Sequence, residues 1–187
     1  MKLNAKDVLI PTLVLFLVSL LVTAALAGTN LLTAEKIAEQ EELAAQASRQ
    51  VVLPKAESFE AQQGDSGEYF IGKKGSEIVG YVFTTSSPSG YGGAISVMTG
   101  IQTDGQISGV VILSHNETPG LGANAEKEDY RNQYLQKAAE GGFTLIKTGT
   151  PGEGQILAMT GATITSNAVT EAVNKAIAEY ETVKEGA

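Results

Sequence analysis

Residues 160–167 of this sequence, TGATITSN, combine small side chains with hydroxyl and amide groups in an arrangement that could bind a phosphate. They lie between a segment predicted as a strand and a long segment predicted as a helix. The first backbone N–H groups of a helix have no partner within it, and the helix dipole favours an anion there. Gly161 and Ala162 would let a ligand approach the backbone closely. The same residue types are also preferred helix N-caps, and on these residues alone a plain helix start is the stronger interpretation.

Two further segments combine glycines with residues that could titrate or hydrogen-bond, namely residues 89–93, SGYGG, and residues 114–122, SHNETPGLG. His115 is the only histidine and no cysteine accompanies it, which argues against a metal site and favours a structural histidine over a redox-linked one. Glu117 lies in a tight loop, where bonds to backbone amides are expected rather than proton transfer. The glycines of residues 89–93 match no dinucleotide-binding or P-loop pattern, so a conformational role is predicted for them.

The composition of the chain excludes several classes of function. Its 187 residues suit one modest domain with an appendage. Because the chain contains no cysteine, it has no disulfide, iron–sulfur cluster, thiolate-bound zinc or cysteine nucleophile. Any redox role would therefore depend on an organic cofactor. The formal net charge of -8 argues against a nucleic-acid partner, since such binding depends on clustered Lys and Arg.

Residues 8–27, VLIPTLVLFLVSLLVTAALA, form an apolar run without a charge. About 20 such residues in a helix span roughly 30 Å, which is the thickness of the bilayer hydrocarbon core. A cleaved signal peptide is the alternative, because residues 25–27, ALA, resemble a cleavage site, but the run is longer than a usual signal h-region. Lys2 and Lys6 make the N-terminal stub positive. The positive-inside rule then predicts a single-pass protein of the inner membrane, with a cytoplasmic N-terminus and an extracytoplasmic C-terminal domain.

The chain is predicted to contain three parts. Residues 1–28 form a cytoplasmic stub and transmembrane helix, residues 29–62 a helical stalk or linker, and residues 63–187 a globular domain. Ala, Glu and Gln dominate residues 33–50, where their summed propensity favours a helix. Gly28 is the only one of the 21 glycines that precedes Gly64, so the two halves of the chain differ in composition.

The globular domain consists of short β-prone runs separated by turn residues, followed by a longer helix. Strands are predicted over residues 68–71, 78–84, 94–101, 107–114, 143–147 and 155–159. Helices are predicted over residues 126–140, ending at two glycines, and over residues 165–184, where apolar residues recur on one face. This order predicts an α+β domain in which a mainly antiparallel sheet carries helices on one face.

Three motifs in this order resemble one known family. Thr160-Gly161-Ala162-Thr163 resembles the S/T-G-A-T flavinylation motif of the covalent FMN-binding domain, and residues 115–122 resemble the H-x-E-T-P-G-L-G loop of the same family. Residues 89–93 are similar to its G-Y-G-G turn. The domain occurs in the G subunit of the Rnf ion-translocating oxidoreductase and in the C subunit of the sodium-translocating NADH:quinone reductase. The resemblance favours the Rnf protein, because the chain lacks room for longer insertions.

The resemblance implies that FMN is bound covalently, through a phosphoester to the hydroxyl of Thr163. It implies that a separate flavin transferase makes this bond from FAD with magnesium, and that the domain is not itself a nucleophilic catalyst and has no catalytic residue. The family often has an acidic residue six positions before the flavinylated threonine, where this chain has Leu157. The candidate cofactor-binding residues are Thr160, Gly161, Ala162, Thr163, Thr165, Glu117, Thr118, Leu121 and Gly122, with Leu121 and the backbone of residues 117–122 as a pocket wall.

The resulting expectation is a membrane-anchored electron-transfer subunit of an Rnf-type complex, which couples ferredoxin and NAD redox chemistry to sodium or proton translocation. A span without ionisable residues cannot carry the ion, so translocation is expected in partner subunits. The first alternative is a flavinylated subunit of another enzyme, either the C-type subunit of a sodium-translocating NADH:quinone reductase or part of another extracytoplasmic reductase. A non-redox membrane scaffold and an anchored binding protein for an exported ligand are the alternatives of other classes.

Overall fold

The computed structural model describes residues 5–64, 67–137 and 141–185. Its contacts divide the chain into two compact units, Met1–Ala44 and Ala45–Ala187. The first helix, α1, spans Ala5–Val52, so the predicted transmembrane helix and stalk helix are one continuous element. The second unit includes residues 45–62, which the sequence pattern assigned to the stalk.

Helix α1 provides the apolar surface of the first unit. Among the described residues it is the one helix long and apolar enough to cross a membrane, and its most apolar window is entirely exposed. An exposed apolar surface of this length matches a lipid environment. The side chains of Lys2 and Lys6 lie outside the described part of the chain, so the orientation in the membrane stays a prediction.

Five antiparallel strands form the main sheet of the second unit, in the order in which they occur along the chain. The four strands predicted first are confirmed, and an additional edge strand precedes them. Strand β1 was missed because its sequence, SFEAQQ, is mostly polar and exposed. The strands are β1 (Ser58–Gln63), β2 (Glu68–Lys74), β3 (Glu77–Gly90), β4 (Gly93–Gln102) and β5 (Ile107–Ser114).

Both faces of this sheet are covered. The final helix, which is the third α-helix of the chain and spans Thr163–Glu185, packs on the face that carries Tyr81 and Phe83. The opposite face carries Val82 and Met98, and these residues pack against the end of α1 and the residues after it. The predicted α+β class, with its antiparallel sheet and N-terminal apolar helix, is confirmed, and the end of α1 adds a cover on the second face.

Paired glycines in neighbouring strands allow the segment after α1 to approach the sheet closely. Gly100 and Gly109 face each other across strands β4 and β5, directly below Val52. A Cβ atom added to Gly109 would lie 2.5 Å from the Cα atom of Val52. A side chain at this position would therefore push the backbone of the covering segment away from the sheet.

The prediction of a continuous helix over residues 126–140 is wrong for the described residues of this range. The chain forms a 3₁₀ turn at Gly122–Glu126, a short helix α2 at Glu128–Arg131 and a second 3₁₀ turn at Asn132–Tyr134. Arg131 donates to the carbonyl of Val110, and the side-chain oxygen of Gln133 accepts the N–H of Leu157. These tertiary hydrogen bonds outweigh the helix propensity of the segment. Residues 138–140 lie outside the described residues.

The two strands predicted near residues 143 and 155 are present, but they do not join the main sheet. Strands β6 (Thr144–Ile146) and β7 (Gln155–Leu157) pair with each other in parallel. The final helix, α3, begins six residues after the end of β7, at Thr163 instead of the predicted residue 165. This short connection contains the segment singled out for phosphate binding.

We expect the Gly109→Ala substitution to lower the free energy of unfolding by about 1–3 kcal/mol, because the new methyl group would overlap the backbone of Val52. Urea unfolding of the full chain in detergent, followed by circular dichroism, measures this change. Gly152→Ala is the control, since Gly152 is exposed and a Cβ there meets only the flexible end of Gln155 at 3.5 Å. Equal losses in both variants would contradict the close approach as the cause.

Candidate functional site

A tight turn connects β7 to α3 and leaves the start of the helix without a side-chain cap. The N–H of Ala162 donates to the carbonyl of Met159 at 3.0 Å, and the N–H of Ser166 donates to the carbonyl of Ala162 at 2.9 Å. Ala162 therefore occupies the position before the helix, and its methyl group cannot accept a hydrogen bond. The first turn also contains no acidic residue. The backbone N–H groups that precede Ser166 are left without intrahelical acceptors, as an anion site requires.

Gly161 and Ser166 give this turn its shape. Gly161 has a φ of 75°, a left-handed conformation that glycine adopts without steric cost. The hydroxyl of Ser166 donates to the carbonyl of Ala162 at 2.9 Å and accepts the N–H of Met159 at 3.0 Å. Ser166 thus holds the turn from inside the helix, which is a structural role for one of the hydroxyls that the sequence places here.

Thr163 is the first residue of α3, and its side chain is half-buried. Within the described part of the chain its hydroxyl has no hydrogen-bond partner, and the same holds for the exposed Thr160. The hydroxyls of Thr165 and Ser166, in contrast, are buried and hydrogen-bonded. Of the two unpaired hydroxyls, that of Thr163 lies in the first turn of the helix.

The buried carboxylate of Glu117 joins the three motifs found in the sequence. One carboxylate oxygen, Oε1, accepts the N–H of Gly92 at 3.0 Å, and the other, Oε2, accepts the hydroxyl of Thr165 at 2.6 Å. The residue is only 6% exposed. Gly122 packs against the same group, because a Cβ added there would overlap both Glu117 and Thr165. The prediction that Glu117 bonds a backbone amide thus agrees with this geometry.

His115 supports the loop from the other side. Its Nδ1 atom accepts the N–H of Glu117 at 3.0 Å, and its Nε2 atom lies 3.0 Å from a carboxylate oxygen of Glu126. A proton on Nε2 satisfies both contacts, since Nδ1 must then be the acceptor. Both ring nitrogens are thereby engaged in holding the loop, in keeping with the structural role predicted for this histidine.

The remaining candidate residues form the surface of the same loop. The carbonyl of Thr118 accepts the N–H groups of Leu121 at 3.1 Å and of Ala123 at 3.2 Å, which closes a compact turn. The side chain of Leu121 is 47% exposed, and a Cβ added to Gly161 would lie 3.4 Å from its Cδ2 atom. The loop and the turn before α3 are therefore close neighbours, and the role of Leu121 as a pocket wall stays a prediction.

Two buried tyrosines support the first turns of α3, and the sequence analysis did not identify them. The hydroxyl of Tyr134 lies 2.8 Å from that of Thr170 and 3.2 Å from that of Tyr130, which in turn donates to the carbonyl of Ser166 at 3.4 Å. Burial raises the pKa of Tyr134 well above its usual value and also raises the pKa of Tyr130. Both hydroxyls stay protonated at neutral pH, so they add no charge below the helix. The sequence signal that could have identified this pair is the four-residue spacing between the two tyrosines.

One cavity of the described part lies away from these motifs. It has a volume of about 690 Å³ and lies beside the second half of α3, where Lys175 and Glu179 of the helix and Tyr69 and Tyr81 of the sheet line it. None of the three motifs lines it. The motifs instead meet at the carboxylate of Glu117, which is bonded to Gly92 and to Thr165 in the first turn of α3.

These residues fit the phosphate of FMN. Uncapped N–H groups at the start of α3 can hold an anion, and the unpaired Thr163 hydroxyl is a point of attachment. The carboxylate of Glu117, which accepts the hydroxyl of Thr165 in the first turn of α3, is already bonded to two donors. A single phosphodiester charge is therefore compatible with this donor set.

Two family models match the chain. The FMN-binding domain model matches residues 90–178, and a model for the RnfG N-terminal region matches residues 1–52. The first of these ranges contains all three converging motifs except Ser89. The second covers the apolar run and all of α1.

Two relatives are similar to most of this chain. The G subunit of a Na⁺-translocating ferredoxin:NAD⁺ oxidoreductase complex from Acetobacterium woodii is 40% identical over 186 residues, covering 90% of this chain and 89% of the relative. The G subunit of a proton-translocating ferredoxin:NAD⁺ oxidoreductase complex from Clostridium ljungdahlii is 40% identical over 136 residues, covering 73% of this chain and 71% of the relative.

Two solved structures share the fold. NqrC from Shewanella oneidensis aligns with a TM-score of 0.56 at 19% identity, over 74% of each chain. The C subunit of the Na⁺-translocating NADH-quinone reductase from Parabacteroides distasonis aligns with a TM-score of 0.52 at 22% identity, over 64% of each chain. At these identities the likeness is one of fold alone.

We expect Glu117→Ala to lower the free energy of unfolding by about 1–3 kcal/mol, because the substitution leaves the buried hydroxyl of Thr165 and the N–H of Gly92 without their acceptor. Glu117→Gln keeps an acceptor oxygen and should lose clearly less. Thermal unfolding of the full chain in detergent gives both values. Equal losses for the alanine and glutamine variants would contradict the role of the bridge.

Proposed function

The chain belongs to the RnfG family, the G subunits of Rnf-type ion-translocating oxidoreductase complexes, and we propose that it carries FMN covalently on the hydroxyl of Thr163. The observation that carries this proposal is the position of Thr163. Its hydroxyl has no partner among the described residues, and it stands in the first turn of a helix whose start has neither a side-chain cap nor an acidic residue.

Attachment requires a separate flavin transferase, with FAD as the co-reactant and magnesium as the metal that the transferase uses. The oxygen of the Thr163 hydroxyl forms a bond to the FMN phosphorus while the pyrophosphate bond of FAD breaks. AMP leaves, and the hydroxyl proton is released. The product phosphodiester keeps one negative charge, which the N-terminus of α3 stabilises.

FMN, when bound, would accept and donate the electrons, and the protein supplies tethering and orientation. The start of α3 holds the phosphate, and Glu117 fixes the turn of Gly92 and the first turn of the helix relative to each other. The protein thereby acts as an electron-transfer subunit between other subunits of the complex, and it is not catalytic by itself.

The ion pathway is assigned to partner subunits. Residues 8–27 contain no ionisable side chain, so this span offers no site for a sodium ion or a proton. We place the N-terminus in the cytoplasm and the FMN domain on the opposite side of the membrane, on the basis of the positive stub. The match of residues 1–52 to the RnfG N-terminal region favours the Rnf complex over a sodium-translocating quinone reductase.

For the attachment site, we expect Thr163→Ala to abolish covalent flavin because it removes the esterified oxygen. The full chain is co-expressed with a flavin transferase, denatured, separated on a gel and viewed under ultraviolet light. The unsubstituted chain should fluoresce, and its intact mass should exceed that of the apoprotein by one FMN minus one water. Thr160→Ala is the matched control, since that hydroxyl is also unpaired but lies outside the helix. Fluorescence that persists in Thr163→Ala would refute the assignment.

For the orientation, a reporter enzyme that is active only outside the cytoplasm is fused after Ala187. We expect activity, because the positive stub should stay in the cytoplasm and the rest of the chain should be exported. The same fusion with Lys2 and Lys6 replaced by glutamate should show lower activity. Activity of a cytoplasm-specific reporter at the same position would overturn the proposed topology.

A further inference from the structure

The two edges of the five-stranded sheet differ in their cover. Strand β5 forms one edge, and the segment that follows it covers that edge. The N–H of Ile107 donates to the carbonyl of Gln136 at 3.3 Å. The guanidinium of Arg131 donates to the carbonyl of Val110 at 2.8 Å. Strand β1 forms the other edge, and within the described residues no segment pairs with its outer side.

The register of β1 with β2 shows which of its backbone groups are open. The N–H of Gly64 donates to the carbonyl of Gly67 at 2.8 Å, and these two residues continue the register beyond Gln63. Bonded and non-bonded pairs alternate in an antiparallel ladder, so Gln62 and Glu60 bond to β2. The residues that alternate with them turn their N–H and C=O groups outward, where the described part of the chain offers no partner, and they are Phe59, Ala61 and Gln63.

Strand β1 also lacks the features that usually keep an open edge from pairing. Its six residues, SFEAQQ, contain no proline and no lysine. Its one charged residue, Glu60, has a carboxylate oxygen 2.7 Å from the ammonium nitrogen of Lys73 on β2, so the two opposite charges offset each other. Natural edge strands are commonly blocked by unpaired charges, by proline or by a covering segment. The open edge of β1 is therefore suited to pairing with another strand.

We propose that the outer edge of β1 binds an extended segment of another subunit of the complex, which adds one strand to the five-stranded sheet. The relatives of this chain are subunits of multi-subunit complexes, and a row of alternating N–H and C=O groups matches an extended polypeptide. This inference rests on the proposed place of the chain in a complex, but it does not depend on the attachment of flavin.

The two faces of β1 specify the chemistry of the incoming strand. Phe59 is half-buried and packs with the apolar cluster that contains Val82 and Met98. Glu60 lies on the opposite face, because successive side chains of a strand alternate. Neighbouring side chains on one face of a sheet contact each other across the strands. The partner strand therefore carries apolar residues on the side of Phe59, alternating with polar or basic residues on the side of Glu60.

Hydrogen–deuterium exchange at single-residue resolution tests the pairing. The full chain is compared in detergent in two forms, purified with its partner subunits and purified alone. The amides of Phe59, Ala61 and Gln63 should exchange at least about tenfold more slowly in the complex, since each gains an acceptor on the new strand. The amides of Glu60 and Gln62 already bond to β2, so their smaller change is the internal control. Equal slowing of all five amides, or no slowing, would overturn the proposal.

The substitution Ala61→Pro removes one outward N–H and places a ring in the path of the new strand. The ladder with β2 stays intact, because that N–H does not bond to β2 and proline fits an extended edge strand. The thermal unfolding temperature of the variant alone should change little, whereas the yield of partner subunits that co-purify with the tagged full chain should fall at least about tenfold. Ala61→Ser keeps the N–H and is the matched control. An unchanged yield with Ala61→Pro would overturn the pairing. If the proline variant does not fold, the exchange pattern of the unsubstituted chain decides.

Two further readouts separate this proposal from its alternatives. A dimer of the chain alone, with the same alternating protection, would assign the edge to a second copy and overturn the partner strand. Covalent flavin, measured by gel fluorescence, should be equal in Ala61→Pro and Ala61→Ser, since Ala61 lies outside the three motifs. Absence of covalent flavin from every chain, with the alternating protection retained, would contradict the attachment at Thr163 and support the strand pairing.

Discussion

The arrangement of the candidate site depends on a single buried carboxylate. Glu117 is bonded to Gly92, 25 residues earlier, and to Thr165, 48 residues later, so it connects two loops and the start of α3, which are distant in sequence. A buried carboxylate is stable only if its oxygens have donors, and the short contact from the Thr165 hydroxyl is typical of a charge-assisted hydrogen bond. Its place beside the first turn of α3 is also favoured by the helix dipole. The arrangement of the segments around Thr163 follows from the need of this carboxylate for hydrogen-bond donors.

The site is rigid because its helix continues into the core. Ser166 and Thr170 are buried in the first two turns of α3, where they bond to the turn and to Tyr134. The later turns of the helix pack on the aromatic face of the sheet, where Tyr180 makes an edge contact with Tyr81. The attachment point is thus one end of an element held along most of its length, which suits precise placement of a cofactor.

Much of the fold could be predicted from local pattern. Alternating apolar residues and turn glycines identified β2 to β5, and the apolar face of α3 identified the final helix. The failures occurred where distant contacts decide the structure. Strand β1 is polar and owes its existence to pairing with β2, and the segment around Arg131 bonds to β5 and β7 in place of forming a long helix. The motifs predicted which residues form the site, but only tertiary structure shows that Glu117 joins them.

The end of α1 determines how this protein can be divided for study. Val52, Leu53 and Ala56 are almost fully buried and cover the sheet face that contains Val82 and Met98. A soluble fragment begun at residue 63, the domain boundary suggested by the sequence, would lack this cover and one edge strand, and it would expose an apolar surface prone to aggregation. A fragment begun at Ala45, where the second compact unit starts, removes the membrane-spanning segment and keeps the sheet covered on both sides.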